Sequence, residues 1–424
     1  MVRPTCNQAD SMITQDVFTR GKTLIETMLQ KLSNISKGKR SALVEILMLY
    51  LSCRGRVNFS QLGRQGERDE KTYRYHFERD FDWSGFNGQL IKTSCSEELI
   101  IGFDPSYISK SGKHTPGLGY FYSGVAGGYK KGLEIGSLAI IDIDQNTAYH
   151  YESINTPSSI KDKIRDGRTI VDHYADYIVS RAEGLQTLSS ILAVDGYFAK
   201  RKFVDKICNQ TDLEIICRLR DDANLKYLAP PQEEKKRGRP RLYSGKVDVT
   251  KIDKKEFYKE YEDDQIILYS LVVYSVGLKR KIKVSYVEFL DRQGKPRSKK
   301  IFFSTNLERT GIDIYRYYKA RFQMEFIFRD SKQYTGLEQC QSRSSKKLNF
   351  HFNASMTSIN IAKCILRKGV SKDTCIPLSI SDLKMKLQNR NMLYRIFSIY
   401  GLNHKLIKID EQYDQILKFG NIAA

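Results

Sequence analysis

Apolar positions in the first hundred residues recur at helical spacing. "GKTLIETMLQKLSNI" and "KRSALVEILMLYLSCRG" place Leu, Ile and Met three or four residues apart, with polar breaks between the two runs. "VNFSQLGRQGERDEKTYRYHFERDF" then reads as a short helix over 59–64, a glycine-containing turn and a second helix over about 70–78. From Leu99 the period changes. "LIIGFDPSYI" is a buried apolar run whose strand ends at Asp104, and "GLEIGSLAIIDID" and "AYHYESI" predict antiparallel strands. Residues 166–189 return to helical spacing. "ILAVDGYFAKRKFVDKICNQ" predicts a strand ending at Asp195 and then a helix, and "LEIICRLR" another strand.

The order strand, strand, strand, helix, strand, helix, strand predicts an α/β fold with an RNase H-like core. The helical signal stops at Arg220. "PPQEEKKRGRPRLYSGKV" is a basic loop punctuated by Pro and Gly, and "IILYSLVVYSV", "KIKVSYVEFL" and "SKKIFFST" are strand-like. A β-rich insertion therefore interrupts the core. A long helix through "YYKARFQMEFIFRDSK" follows, then further helices in "FNASMTSINIAKCILRK" and "ISDLKMKLQNRNMLYRIFSIY". The expected division is an N-terminal helical DNA-binding domain (1–97), a first part of the core (98–220), the β insertion (221–308), a second part of the core (309–370) and a C-terminal helical region (371–424).

Charge narrows the partner. The 424 residues carry 70 basic and 49 acidic side chains, a formal net charge of +21. Such a surplus favours a polyanion, nucleic acid first, because phosphates neutralised by Lys and Arg release counterions. An anionic membrane surface is the rival. No run of about 18 apolar residues occurs and the N-terminus lacks a signal-peptide pattern, so a cytoplasmic, nucleoid-associated protein with no membrane partner is expected. The eight cysteines include no C-x-x-C pair and the six histidines are dispersed, so any metal would be held by carboxylate oxygens. The 70–78 helix has the basic, tyrosine-bearing character of a helix-turn-helix recognition element, with Arg64, Lys71, Arg74 and Tyr75 as candidate DNA contacts. An ordinary helical hairpin gives the same pattern. "GRPR" at 238–241 has the make-up of an AT-hook core, with Arg239 and Arg241 in the minor groove, or of a solvated basic loop.

Two strand-terminal carboxylates suggest chemistry. Asp104 and Asp195 each follow a buried apolar run, and ligands of α/β sheets bind at the carboxyl ends of strands. Two neighbouring carboxylates repel unless a cation lies between them. In "YYKARFQMEFIFRDSK", a helix turning about 100° per residue puts Tyr318, Arg321, Glu325, Arg329 and Lys332 in one polar stripe. Phe322, Met324, Phe326, Ile327 and Phe328 supply buried faces, and Lys319, Gln323 and Asp330 a solvated edge. An i,i+4 ladder of Arg321, Glu325 and Arg329 would explain the charges but not the aromatic content.

Tyr318-x2-Arg321-x3-Glu325-x6-Lys332 resembles the Y-R-E-K signature of the IS4-type DDE transposases. Asp104, Asp195 and the motif "DGYFAKR" fall where that family keeps its first two catalytic carboxylates, and the β insertion agrees. The resemblance spans roughly residues 98–370. It implies catalytic Asp104, Asp195 and Glu325 holding Mg²⁺ or Mn²⁺ for two-metal phosphoryl transfer, that is, cleavage and strand transfer in cut-and-paste transposition. Tyr318, Arg321 and Lys332 would contact DNA; Arg329, outside the signature, would meet phosphate or Glu325. The implied partners are double-stranded DNA at terminal inverted repeats and targets, and a second copy of the chain in a synaptic dimer. Where relatives use a Trp in the insertion to hold a flipped base, this chain has only Trp83, in the N-terminal region, leaving Tyr269, Tyr274 or Tyr286 as substitutes. Two alternatives stand beside this reading: an inactive end-binding protein or repressor, and an RNase H-like nuclease unconnected to mobile DNA.

Overall fold

The computed structural model describes residues 17–157, 168–230, 241–372, 378–402 and 411–421. Helices α1 (Val17–Gln30), α2 (Lys37–Ser52), α3 (Phe59–Gln65), α4 (Glu70–Phe77) and α5 (Trp83–Ser94) come first. Their starts follow from local chemistry. Ser36, Asn58, Asp69 and Asp82 cap α2 to α5, each accepting a backbone N–H three residues on. These helices bury Ile25, Leu47, Tyr50, Tyr73 and Phe77 in one core with the C-terminal helices and one sheet face.

The α/β expectation holds, with a sheet larger than the core alone. Strands β1 (Leu99–Ser109), β2 (Gly119–Ser123), β3 (Gly128–Asp142) and β4 (Thr147–Asn155) precede α6 (Ile170–Gln186). β5 (Ile191–Val194), α7 (Arg201–Gln210) and β6 (Glu214–Arg218) follow. The insertion supplies β7 (Leu225–Leu228), β8 (Tyr243–Val247), β9 (Tyr258–Glu262), β10 (Ile266–Ser275), β11 (Arg280–Leu290) and β12 (Pro296–Ser304). All join one twelve-stranded, mostly antiparallel sheet ordered β2-β3-β1-β5-β6-β12-β11-β10-β7-β8, with β4 also on β3 and β9 on β10. Only β1, β5 and β6 run parallel to one another. One face packs α6 and α7 around Phe103, Tyr174, Phe198 and Phe203; the other carries the remaining core. Sequence periodicity overlooked β7, β8 and β9. They are short, and β9 ("YKEYE") is polar and largely solvent-facing along its length.

Asp104 does not end its strand. β1 continues to Ser109 because β3 pairs with it over the full eleven residues, Leu99↔Asp142 to Ser109↔Gly132. The parallel partner β5, however, stops at the pair Phe103↔Val194. Asp104 is thus the first β1 residue without a β5 neighbour, and Asp195 the first residue beyond β5.

The long helix expected over "YYKARFQMEFIFRDSK" is two helices, α8 (Gly311–Ala320) and α9 (Gln323–Tyr334). At the junction the hydrogen bonds tighten to i→i+3: Met324 N to Arg321 O (3.0 Å) and Glu325 N to Phe322 O (3.0 Å). Each residue of such a turn advances about 120° rather than 100°, so α9 is rotated relative to a continuous helix. Phe322 is 51% exposed and Asp330 only 7%, the reverse of the expected phase.

Helices α10 (Ser345–Arg367), α11 (Ile380–Ile399) and α12 (Glu411–Lys418) complete the described chain. α10 is buried nearly all round, yet it carries Asn353, Ser355, Thr357, Ser358 and Asn360 inside. Those amides serve the outer edge of β4. Asn353 Oδ1 accepts from Ser153 N (2.8 Å) while its Nδ2 donates to Ser153 O (3.0 Å). Asn360 does the same with His150, accepting from N (2.8 Å) and donating to O (2.7 Å). Lys363 Nζ donates to Ala148 O (2.7 Å). A helix thereby satisfies a strand edge that no strand pairs.

Candidate active site

The register sets two carboxylates side by side, since Asp104 and Asp195 directly follow the paired residues Phe103 and Val194. Asp195 caps a 3-10 turn over Gly196–Phe198, accepting from Tyr197 N (3.2 Å). Arg321, at the α8–α9 junction, brings Nη1 to 3.3 Å from Asp104 Oδ1 and Nη2 to 3.8 Å from Asp195 Oδ1. The Tyr318 hydroxyl donates to Asp195 Oδ1 (3.3 Å), and the Arg321 guanidinium lies 5.6 Å from the Tyr318 ring centre. Tyr318 and Arg321 therefore point at the carboxylates, not outward.

Glu325 stands in the first turn of α9, and its charge reaches both Asp104 and Arg321. Burial raises the Asp104 pKa to about 7; Arg321 opposes that rise, and the charges of Asp195, Glu325 and Glu134 add to it. The Tyr318 hydroxyl is pushed up to about 12, by burial first and Asp195 second. Arg321 is itself mostly buried. Burial works against its charge, but Asp104, Tyr318 and Asp195 outweigh it and hold the guanidinium above its usual value.

Two further parts hold α9 in place. Met324 packs over Gly102, where a Cβ would lie 2.6 Å from Met324 Sδ and 2.8 Å from Ile141 Cδ1, so only glycine admits the helix this close. Glu260 of β9 accepts from Gly311 N (2.5 Å) and Ile312 N (3.2 Å), a carboxylate at the α8 N-terminus where the helix dipole favours it. That link between insertion and site helix had no sequence signal, because a lone Glu in a polar strand looks like solvated surface.

Lys332 Nζ donates to Tyr107 O (2.9 Å), three residues beyond Asp104, and lies 3.7 Å from Glu338. Arg329 meets neither Glu325 nor the cluster. It bonds Asp330 Oδ1 (2.9 Å) and covers the Phe326 ring at 4.5 Å. The rotation of α9 carries it away from the predicted stripe.

The remaining candidates lie elsewhere. Lys71 is exposed on α4, and Arg74 there binds Glu70 (2.6 Å) and covers Phe59 at 4.5 Å. Arg241 folds onto its own strand, donating to Tyr243 O (2.7 Å); Arg239 lies outside the described residues. Tyr269 and Tyr286 are core residues, Tyr274 stacks with Tyr243 at 4.7 Å, and Trp83 is buried against Phe81 and Phe350, so none of the aromatics expected to hold a base stands free for it.

Among the described residues, no three His, Cys, Asp or Glu side chains are grouped to hold a metal ion. The donor chemistry nevertheless fits one. Asp104 and Asp195 offer oxygen ligands within one guanidinium's reach of each other, and their mutual repulsion already draws in a cation, Arg321.

Residues 163–361 match the family model of the transposase DDE domain. This match supports a DDE transposase and covers Asp195, Tyr318, Arg321, Glu325 and Lys332, while Asp104 lies upstream of it. It also spans the β insertion, so the strands that extend the sheet fall inside the matched DDE region. No curated protein matches the chain. No helix among the described residues is long and apolar enough to cross a membrane.

Proposed function

We propose that the protein is an IS4-type DNA transposase performing cut-and-paste transposition of an insertion sequence, with Asp104, Asp195 and Glu325 as its catalytic carboxylates. The observation that carries this reading is the convergence of Asp104 and Asp195 at the end of two parallel strands, with Glu325 acting electrostatically on the same point. The order β4-β3-β1-β5-β6, with β1, β5 and β6 parallel, supports an RNase H-like core. Held by the three carboxylates, Mg²⁺ or Mn²⁺ supplies activation of the attacking oxygen and charge stabilisation at the leaving oxygen of an in-line phosphoryl transfer.

The chain's own groups perform the rest. Arg321 screens Asp104 from Asp195 and keeps both oriented. Its Nε is buried without a hydrogen-bond partner, a donor ready for a phosphate oxygen. Tyr318 fixes Asp195 from the opposite side. Lys332, tied to β1, positions a positive charge beside the strand being cut. The exposed Lys71 and Arg74 of α4 engage terminal inverted repeats, and two copies join to synapse two ends in a nucleoid-associated complex. Arg239 and Arg241 of the insertion add minor-groove contacts.

Glu325→Gln tests the site. The variant is expected to bind duplex DNA as the wild type does and to lose divalent-dependent cleavage by a factor of 100 or more, roughly the scale on which a catalytic electrostatic group acts. Undiminished cleavage by the variant would remove Glu325 from the site. A wild type that binds end DNA and never cuts it would leave the end-binding reading.

A further inference from the structure

The β2–β3 hairpin overhangs the site and carries an aromatic face. Its register pairs Tyr122 with Tyr129 and Tyr120 with Lys131. Side chains alternate along a strand, and β3 places Ser137 opposite Asp104. Counting by twos from Ser137, Lys131 and Tyr129 stand on the Asp104 face of the sheet, together with their partners Tyr120 and Tyr122. All four are solvent-exposed; the three tyrosines are 72% (Tyr120), 57% (Tyr122) and 76% (Tyr129) exposed. A soluble surface rarely shows that much unpartnered ring area without a use for it.

A fourth ring approaches from the other carboxylate. Tyr197, two residues after Asp195, is half exposed and borders an open cavity of about 560 Å³ lined also by Arg218 and Arg220. Lys200 Nζ lies 3.7 Å from the centre of its ring. Tyr129 and Glu134 are the titratable groups whose charges reach the Tyr197 hydroxyl, so the hairpin and this turn are neighbours. Tyr122 and Tyr129 meet edge to face at 5.9 Å.

Exposed rings interleaved with Lys and Arg beside carboxylates suited to phosphoryl transfer have one fitting occupant. Every nucleobase offers a π-face to stack, and its phosphates suit the cations. A protein partner would call for aliphatic surface among the rings, and Val125 at the hairpin tip is the one aliphatic side chain exposed there. We propose that Tyr129 and Tyr197, with Tyr120 and Tyr122 behind them, form a stacking platform that holds unpaired nucleobases next to the phosphate being attacked. This rests on the reading that the Asp104–Asp195 cluster acts on DNA. It assigns the base-holding role to the β2–β3 hairpin and the turn after Asp195, in place of the insertion tyrosines.

Binding in the absence of divalent ions, on a Glu325→Gln background, separates the platform from catalysis. The probes are a fluorescent duplex with a short unpaired tail and the same duplex fully paired, read by anisotropy. Wild-type side chains at 129 and 197 should favour the tailed probe. Tyr129→Ala and Tyr197→Ala should each lose roughly tenfold in affinity for it, the worth of one base stacked on a ring, with little change on the paired duplex. Tyr129→Phe and Tyr197→Phe should retain the preference, because stacking needs the ring and not the hydroxyl. Equal loss on both probes, no loss on the tailed one, or Phe variants as weak as Ala would each overturn the platform. A protein that prefers the tail but never cuts DNA would reject the transposase reading alone; one that cuts DNA without preferring the tail would reject the platform alone.

Discussion

Asp104 and Arg321 are each expensive to bury alone, and each lowers the other's cost. With its pKa near 7, the Asp104 carboxyl favours the neutral form in the fold more than an unfolded aspartate does. Its contribution to stability is therefore full below about pH 4 and declines as pH rises through 7. In chelator, Asp104→Asn should stabilise the protein at pH 8 by on the order of 2 kcal/mol and change it little at pH 4. Urea unfolding at the two pH values checks this; an equal effect at both would dissociate the carboxyl from the balance. The sequence made both aspartates legible, because an acidic residue directly after a buried apolar run is conspicuous. It could not reveal that Arg321 turns inward, since a spacing motif does not say which way a stripe faces.

At the scale of elements, the site depends on how closely α9 approaches β1. Gly102→Val would push Met324 and Ile141 aside, an overpacking cost of about 1–3 kcal/mol, and would displace Glu325 along with its helix. Cleavage should fall at least tenfold while duplex binding persists; a variant cleaving at the wild-type rate would show that α9 tolerates the shift. Helices α2 to α4 and strands β3, β4, β10, β11 and β12 were readable from period alone because each buries one consistent face. The break between α8 and α9 was not. Arg321 and Phe322 both favour a helix, and only tertiary contacts to Asp104 and Asp195 account for a tightened turn there.

For the molecule as a whole, two histidines far from the site are held neutral. Burial lowers the pKa of His150 and of His351 to about 4. Their rings are bound by Asn353 (3.1 Å) and by the Tyr50 hydroxyl (2.6 Å) and Gly336 O (2.9 Å). A folded pKa below the unfolded one means that stability is present above about pH 6.5 and is lost as pH falls toward 4, on the order of 3 kcal/mol for each ring. Stability followed from pH 7 to pH 4 should drop with uptake of about two protons on unfolding. A flat profile would mean that neither ring is buried as described. The surplus of positive charge was legible from composition; the joining of the insertion to the core as one sheet was not, because strand pairing across β6 and β12 leaves no local signature.

The amide-sealed edge of β4 also bears on synthesis. Its partners, Asn353 and Asn360, lie 200 and 210 residues downstream of the backbone groups they satisfy. Until α10 emerges from the ribosome, the nascent chain presents β4 with one bare row of N–H and C=O groups, open to any strand nearby. A chain stopped before Ser345 should accumulate in inclusion bodies even though it retains Asp104, Asp195 and Glu325, and co-expression of a holdase should raise its recovery. Soluble, monomeric behaviour of that truncation in sedimentation would show that something other than α10 guards the edge.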